Sequence, residues 1–136
     1  MPTVLSLESF VQLRTKRWND PIEPDDGFRL LICRYRPRGL PKSEETWDAW
    51  EPNLGPSKGL LAAFHSTSSS PIGWAEYRVR YLSEMRRQKA LIEELAGRVK
   101  AGETITLLCS SACTRESRCH RSLLGGLIEG QKTAHL

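Results

Sequence analysis

Two stretches of the chain consist almost wholly of apolar residues. They cover residues 28–33 and residues 104–109, and the second is also rich in β-branched side chains. Continuous apolar runs of this length are typical of strands that are covered on both faces of a parallel sheet. A third stretch, residues 10–18, alternates between apolar and polar positions, which predicts an edge strand with one wet face.

Helical spacing is clearest after Trp74. Apolar side chains recur there at intervals of three, four or seven positions, which predicts one long helix that ends before Gly102. Its stripe consists of Tyr77, Tyr81, Met85, Ile92, Leu95 and Val99. A second helix is predicted over residues 119–129, where the leucines share one face, and weaker helical patterns lie at 46–50 and 59–64.

The order strand, long helix, strand, loop, helix predicts the fold class. It is typical of an α/β protein whose parallel strands are joined by right-handed crossovers. The chain has 136 residues and contains neither a repeat nor a linker. We therefore predict a small single domain over residues 1–136, a mostly parallel sheet flanked by helices, with its core at about 10–130 and a frayed tail at 131–136.

Composition and charge narrow the functional classes. Hydrophobic residues make up 39% of the chain and charged residues 26%, which argues against a disordered protein. There is neither a signal-peptide pattern nor an apolar run long enough to cross a bilayer, so we expect a cytoplasmic protein without a membrane partner. A net charge of +4 favours phosphate-bearing or other anionic small molecules as partners.

Several segments match a known family in the same order. They read DGFRLL from position 26, RPRGLPK from 36, W at 50 with GPS from 55, WAEYRVRYLSEM from 74, and GETITLLC from 102 with CHR from 119. Together they resemble, from about Phe10 to Ile128, the prokaryotic family known as domain of unknown function 488, which includes the YeaO-like proteins. The resemblance implies a compact α/β domain with an arginine-bearing loop after an early strand and a Cys-His-Arg segment after a late one.

The resemblance implies no particular activity. The chain also differs from the usual family pattern at two places. Cys33 and Arg36 stand where an acidic and an aromatic residue are common, and residues 110–113 stand where an acidic residue often follows the strand cysteine. Roles that depend on those family residues therefore do not transfer to this chain.

The loop between the last predicted strand and the last helix is the first candidate for chemistry. In open parallel sheets, ligands bind beyond the carboxyl ends of strands, where helix N-termini favour anions. A thiol held there would have a lowered pKa and act as a nucleophile. We predict Cys109 as that nucleophile, His120 as an acid or base, and Cys119 and Arg121 as substrate contacts. The alternative is ordinary packing and helix capping by the same residues.

An arginine-rich loop is the second candidate. Arg34, Arg36 and Arg38 follow the first core strand, and they would share one edge of the sheet with Cys109 if the two apolar strands are neighbours. Guanidinium groups that converge there would suit the bidentate binding of an anion. The alternative is a solvated charged turn.

Two further readings remain open. Cys109, Cys113, Cys119 and His120 supply soft or borderline donors within residues 109–120, but their spacing matches no common metal motif, so we expect neither metal nor cofactor. Basic residues along the long helix, interleaved with aromatic rings, suit single-stranded nucleic acid, although the rings share the spacing of the core stripe.

The leading functional hypothesis is an anion- or phosphate-binding site at the loop edge of the sheet, with a cysteine-dependent enzyme as one form of it. A nucleic-acid-binding module without catalysis is the alternative. The predicted site residues are Arg34, Arg36, Arg38, Cys109, Cys119, His120 and Arg121.

Overall fold

The structure is a computed structural model that describes residues 12–65 and 68–134, with only the helical backbone described for 131–134. Its sheet has four parallel strands, which are β1 (Leu13–Arg17), β2 (Phe28–Leu31), β3 (Ala49–Trp50) and β4 (Ile105–Cys109). The strand order is β1-β4-β2-β3. The apolar strands β4 and β2 are thus central neighbours, and the predicted small α/β fold is confirmed.

The register of β2 and β4 brings their carboxyl ends level with each other. Leu31 is paired with Leu108, and the backbone N–H of Ile32 donates to the Leu108 carbonyl at 2.9 Å. On the other side of β4, the Trp18 N–H donates to the Cys109 carbonyl at 2.8 Å. The loops that follow these strands therefore leave the sheet at the same edge.

The helices are α1 (Lys58–Phe64), α2 (Trp74–Met85), α3 (Lys89–Lys100) and α4 (His120–Ala134). The single long helix predicted after Trp74 is wrong in one respect, because a 3₁₀ turn over Arg86–Gln88 separates α2 from α3. The backbone of Gln88 departs from helical geometry there, with φ −106° and ψ 21°. No helix in the described part of the chain combines the length and apolar character needed to cross a membrane.

The core lies between the helices and the central strands. Every member of the predicted stripe on α2 and α3 is buried, and the stripe packs with Leu30, Leu107 and Leu124. Burying such a side chain contributes about 1.5–3 kcal/mol. Tyr81 is fully buried, and its hydroxyl donates to the Leu54 carbonyl at 2.7 Å, so the core stripe also fixes the turn before α1.

Three predicted segments either differ from the structure or extend beyond the residues that it describes. Residues 46–50 are not helical, because β3 extends the sheet there, and the flanking Asp48 and Glu51 N–H groups donate to the Arg29 and Leu31 carbonyls. Helix α4 continues beyond its predicted end at Glu129, and the fraying of the tail stays a prediction. The first residues of the alternating stretch, 10 and 11, lie outside the described residues.

A close backbone approach joins the turn before α1 to the end of β2. A Cβ atom at Gly55 would lie 2.5 Å from the backbone nitrogen of Arg34, which is closer than any side chain tolerates. Glycine is therefore required at this position by the space available. The contact holds the Pro52–Leu54 turn directly against the chain that leaves β2.

Candidate functional site

A cavity of about 530 Å³ lies beyond the carboxyl ends of β2 and β4. One wall is the loop of residues 33–38, the opposite wall is the loop of residues 110–119, and we call the space between them the loop cavity. The structure thus brings both predicted loops to one hollow. Apolar and aromatic side chains form much of the lining, and they are Trp18, Tyr35, Pro56, Leu61, Phe64 and Tyr77.

The side chains of three cysteines lie close together at this edge of the sheet. The Sγ atoms of Cys109, Cys113 and Cys119 all lie within 4.8 Å of one another, and those of Cys109 and Cys119 are 3.0 Å apart. We call this group the three-thiol cluster. Cys109 ends β4 and Cys119 immediately precedes α4, and both are buried, whereas Cys113 is half-buried in the loop between them. Cys113 and Cys119 line the loop cavity.

The thiols of this cluster cannot all ionise, because like charges so close together repel each other. Hydrogen bonds from Cys109 and Cys119 lower the pKa of Cys113 against the effect of burial, and the charge of the nearby Arg121 acts in the same direction. Hydrogen bonds to Cys113 and Cys119, together with burial, raise the pKa of Cys109 far above its ordinary value. The arrangement therefore favours one thiolate, on Cys113.

Arg121 is a buried cation behind the cluster, with only 6% of its surface exposed. One Nη2 hydrogen faces the Cys113 carbonyl at 3.4 Å, and its Nε is buried without a hydrogen-bond partner among the described residues. No carboxylate in the described ranges forms an ion pair with it. The Cys113 thiolate is therefore a favourable neighbour for this guanidinium.

His120 is also buried, and it links the start of α4 to the end of β2. Its Nε2 lies 2.8 Å from the Ile32 carbonyl, so Nε2 carries the hydrogen and donates it, and its ring lies 5.5 Å from the ring of Tyr81. Burial lowers the pKa of His120, which keeps the ring neutral. With Nε2 engaged in this way, the closely spaced soft donors for a thiophilic metal ion are the three sulfurs alone.

The predicted arginines reach the loop cavity but differ in their contacts. Arg34 is held by the turn before α1, since Nε donates to the Pro56 carbonyl at 3.0 Å and Nη1 to Asn53 Oδ1 at 3.2 Å. Arg36 donates from Nε to Glu45 Oε2 at 2.5 Å. These two guanidinium groups therefore already have protein partners.

Arg38 differs from them, because it is exposed and its side chain has no hydrogen bond or ion pair with any residue that the structure describes. Arg118, in the opposite loop, is in the same situation. The rim of the loop cavity thus carries two cations that face solvent. A ligand anion can approach both without displacing a protein carboxylate.

Sequence reasoning missed Cys113 and Arg118 as site residues. Cys109 was favoured because it ends the strand, yet as part of the strand it is sealed in the core, and the loop residue has the access. The signal for Cys113 was its place beyond the carboxyl end of β4, where ligands bind in open sheets. The roles predicted for Cys109, His120 and the arginines remain predictions.

The aromatic side chains on α2 bear on the nucleic-acid alternative. Tyr77 and Tyr81 are 4% and 0% exposed, so neither ring has a free face on which a base could stack. Four basic residues of α2 and the turn that follows it are exposed, and they are Arg78, Arg80, Arg86 and Arg87. Of the three rings that suggested this alternative, Tyr77 and Tyr81 are therefore unsuited to stacking on a base, whereas Trp74 is half-buried.

Comparison with known proteins places these features in a family. The model described as the Active DUF488-N3 subclade matches residues 13–132 of the chain. The protein YeaO of Escherichia coli, named as uncharacterized, is 33% identical over 107 residues, which cover 79% of this chain and 90% of YeaO. No solved structure matches the chain.

Mycobacterial proteins are similar over a longer stretch. The uncharacterized protein Rv3073c of Mycobacterium tuberculosis is 30% identical over 123 residues, or 88% of this chain and 96% of the relative. The uncharacterized protein Mb3100c of Mycobacterium bovis matches with the same identity and coverage. The match to these relatives includes most of both chains, so it is not confined to one motif.

Proposed function

The chain belongs to the DUF488 family, and from that premise we propose that it is a cysteine-dependent enzyme that binds an anionic small molecule in the loop cavity and uses Cys113 as its nucleophile. One observation carries the proposal. A half-buried thiol lines an open cavity and is backed by two buried thiols and a buried arginine.

The surroundings of Cys113 support its role as the nucleophile. A thiolate, and not a thiol, attacks electrophiles, and neighbouring positive charge or hydrogen-bond donors increase the thiolate fraction. Cys113 has both, because Cys109 and Cys119 act as donors and Arg121 lies behind the loop. Cys109 is thus assigned to positioning and hydrogen bonding, while its full burial argues against attack by its own sulfur.

The lining of the loop cavity supports an amphiphilic anion as the ligand. Ligand pockets are usually apolar with a few convergent polar groups, and arginine is suited to carboxylate and phosphate. Arg38 and Arg118 supply cations at the rim, and Trp18 and Phe64, both half-buried, supply aromatic surface in the lining. A small molecule with an aromatic or apolar body and one anionic group fits this arrangement.

His120 is a positioning residue in this proposal. Its neutral ring holds the first turn of α4, and with it Cys119 and Arg121, against the Ile32 carbonyl at the end of β2. The cluster therefore depends on His120 for its geometry. The acid or base role predicted for His120 is not needed for the first attack, since the lowered pKa of Cys113 favours its thiolate.

The proposal is tested by site-resolved alkylation with iodoacetamide between pH 5 and 9. We expect Cys113 to react fastest and to keep its rate as the pH falls to 6, because its thiolate persists there. Cys113→Ser should remove this fast phase, whereas Arg78→Ala, at an exposed position on α2 away from the cavity lining, should retain it. A Cys113 rate that follows an ordinary thiol pKa of about 8.5 contradicts the nucleophile assignment.

The same assay tests the anion. Adenosine monophosphate, which combines an aromatic base with a phosphate, should slow alkylation of Cys113 more than adenosine does, and Arg38→Ala with Arg118→Ala should weaken that protection. Arg78→Ala on the exposed side of α2 is the matched control. Equal protection by adenosine and its monophosphate excludes the anion requirement, and steeply salt-dependent binding of single-stranded DNA would favour the nucleic-acid alternative.

A further inference from the structure

The sulfur atoms of the three-thiol cluster lie close enough to exchange electrons among themselves. A disulfide requires its sulfurs about 2.05 Å apart. The Sγ atoms of Cys113 and Cys119 are within 4.8 Å, so a shift of less than about 3 Å would bring them to bonding distance. Cysteines that sense or reduce oxidants typically pair an accessible thiolate with such a neighbouring thiol.

The members of the cluster differ in access to a small oxidant. Cys113 and Cys119 line the loop cavity, whereas Cys109 is absent from its lining and has no exposed surface. An oxidant that enters the cavity therefore meets Cys113 first, because it is the half-buried member. Cys119 is the buried thiol that shares the same wall, which makes it the partner best placed to react next.

The backbone around Cys113 leaves room for the required shift. Among the described contacts, its N–H donates to the Ser110 carbonyl at 3.0 Å and its carbonyl accepts from Arg121 at 3.4 Å. Neither contact belongs to a helix or a strand. Cys119, in contrast, is fixed by the start of α4, so the loop that carries Cys113 is the part that moves.

We propose that the three-thiol cluster reduces hydroperoxides, with Cys113 as the sulfur that is oxidised and Cys119 as the thiol that then forms a disulfide with it. The inference rests on the proposed function only in taking Cys113 as the reactive thiolate. It adds a second class of substrate, the hydroperoxides, and a defined product, the Cys113–Cys119 disulfide.

Both steps balance. In the first, the Cys113 thiolate attacks the terminal oxygen of the hydroperoxide. The S–O bond forms, the O–O bond breaks, and the departing alkoxide takes a proton from water, so that sulfur loses two electrons and the peroxide gains them. In the second, Cys119 attacks the sulfenic sulfur of Cys113. The S–S bond forms, the S–O bond breaks, and hydroxide leaves with the thiol proton of Cys119 as water.

The sequence allows a direct assay of this disulfide. Trypsin cleaves after Arg115 and Arg118, which places Cys109 and Cys113 in the peptide 101–115 and Cys119 in the peptide 119–121. A Cys113–Cys119 bond joins the two peptides until it is reduced, and fragmentation distinguishes it from a Cys109–Cys119 bond. A Cys109–Cys113 bond leaves peptide 101–115 separate and two mass units lighter.

The experiment treats the chelator-washed, reduced full chain with one equivalent of hydrogen peroxide. We expect the joined peptides, bonded at Cys113, in the unaltered chain and in the control Arg78→Ala, at an exposed position on α2. Cys119→Ser should stop at the sulfenic acid, which dimedone traps on Cys113. Cys113→Ser should form neither product and should consume peroxide on the order of tenfold more slowly.

Several outcomes overturn the inference. They are a Cys113 that proceeds to sulfinic acid while Cys119 stays reduced, a bond that involves Cys109 in place of Cys113, and a joined peptide that persists in Cys113→Ser. These outcomes leave the alkylation profile and the protection by adenosine monophosphate untouched. A failure of the peroxide chemistry is therefore distinguishable from a failure of the proposed function.

Discussion

A buried charged side chain lies near each end of β2, and the two side chains differ in whether they form ion pairs. Before the strand, Asp26 is 1% exposed and lies 2.7 Å from Lys16 Nζ, and it also forms an ion pair with Arg29. Beyond the strand, Arg121 is 6% exposed and forms no direct ion pair with a carboxylate among the residues described, although its charge helps to lower the pKa of Asp20. Both charges are removed from water, and only that of Asp26 forms direct ion pairs between a carboxylate and basic side chains.

The difference separates a structural charge from a reactive one. Burial raises the pKa of Asp26, but hydrogen bonds from Lys16 and from the Glu23 N–H outweigh it, and the net pKa is lowered. The Asp26 carboxylate therefore has a structural role, because its ion pairs with Lys16 and Arg29 join β1 to the start of β2. The charge of Arg121 helps instead to lower the pKa of the Cys113 thiol, at the opposite edge of the sheet.

The largest expected effect is on the paired end. Asp26→Asn leaves Lys16 and Arg29 facing a neutral amide, and breaking a buried pair from one side costs about 3–5 kcal/mol of the free energy of unfolding. Urea denaturation measures the loss. The matched control is Asp25→Asn, whose side chain is 72% exposed and whose contribution should be below about 1 kcal/mol. Equal losses in both variants would remove the distinction between the two ends.

An intermediate effect is expected at the unpaired end. Arg121→Met removes a buried cation that lacks an ion-pair partner, so stability should change by no more than about 1 kcal/mol. The midpoint of the pH profile for Cys113 alkylation should rise by about one pH unit, because the thiolate loses a favourable charge. Arg115→Met, at an exposed loop position, is the control. A stability loss as large as that of Asp26→Asn would show that Arg121 is structural.

The smallest effect concerns His120 and pH. Its pKa is lowered in the folded chain, so the unfolded chain binds the proton more tightly, and stability is complete above the ordinary pKa of about 6.5 and declines below it. We expect the free energy of unfolding to decrease as the pH falls from 6.5 to 5.5. His120→Gln keeps a donor for the Ile32 carbonyl but does not titrate, and its unfolding free energy should lack this part of the slope. Identical slopes in the two proteins would contradict the prediction.

The fold was readable from sequence wherever burial is continuous. The apolar runs of β2 and β4 and the stripe on α2 and α3 are dictated by local pattern, and they are where the structure has them. Strand β3 was missed because Ala49 and Trp50 join the sheet through backbone hydrogen bonds, which leave no periodic mark in so short a segment. The break at Arg86–Gln88 was hidden because Met85 and Ile92 face the core on either side of it.

The candidate site was readable in outline but not in detail. The rule that ligands bind beyond the carboxyl ends of parallel strands located both loops. It could not say that Glu45 would engage Arg36, or that Asn53 and Pro56 would engage Arg34, because those contacts depend on how distant segments fold back. Nor could it rank the three cysteines, since their access differs by where the strand stops and the loop begins.

The contact between Gly55 and the backbone of Arg34 has a consequence for selectivity. It packs the turn before α1 against the chain that leaves β2 without any intervening side chain, so a side chain at position 55 would force these two segments apart. A ligand of the proposed site would contact this packed wall at residues 33–38. The loop that carries Cys113 forms the opposite wall, and it is the wall that we expect to adjust to the ligand. We therefore expect selection among ligands to depend on their shape where they contact residues 33–38, and on their reactivity where they contact Cys113.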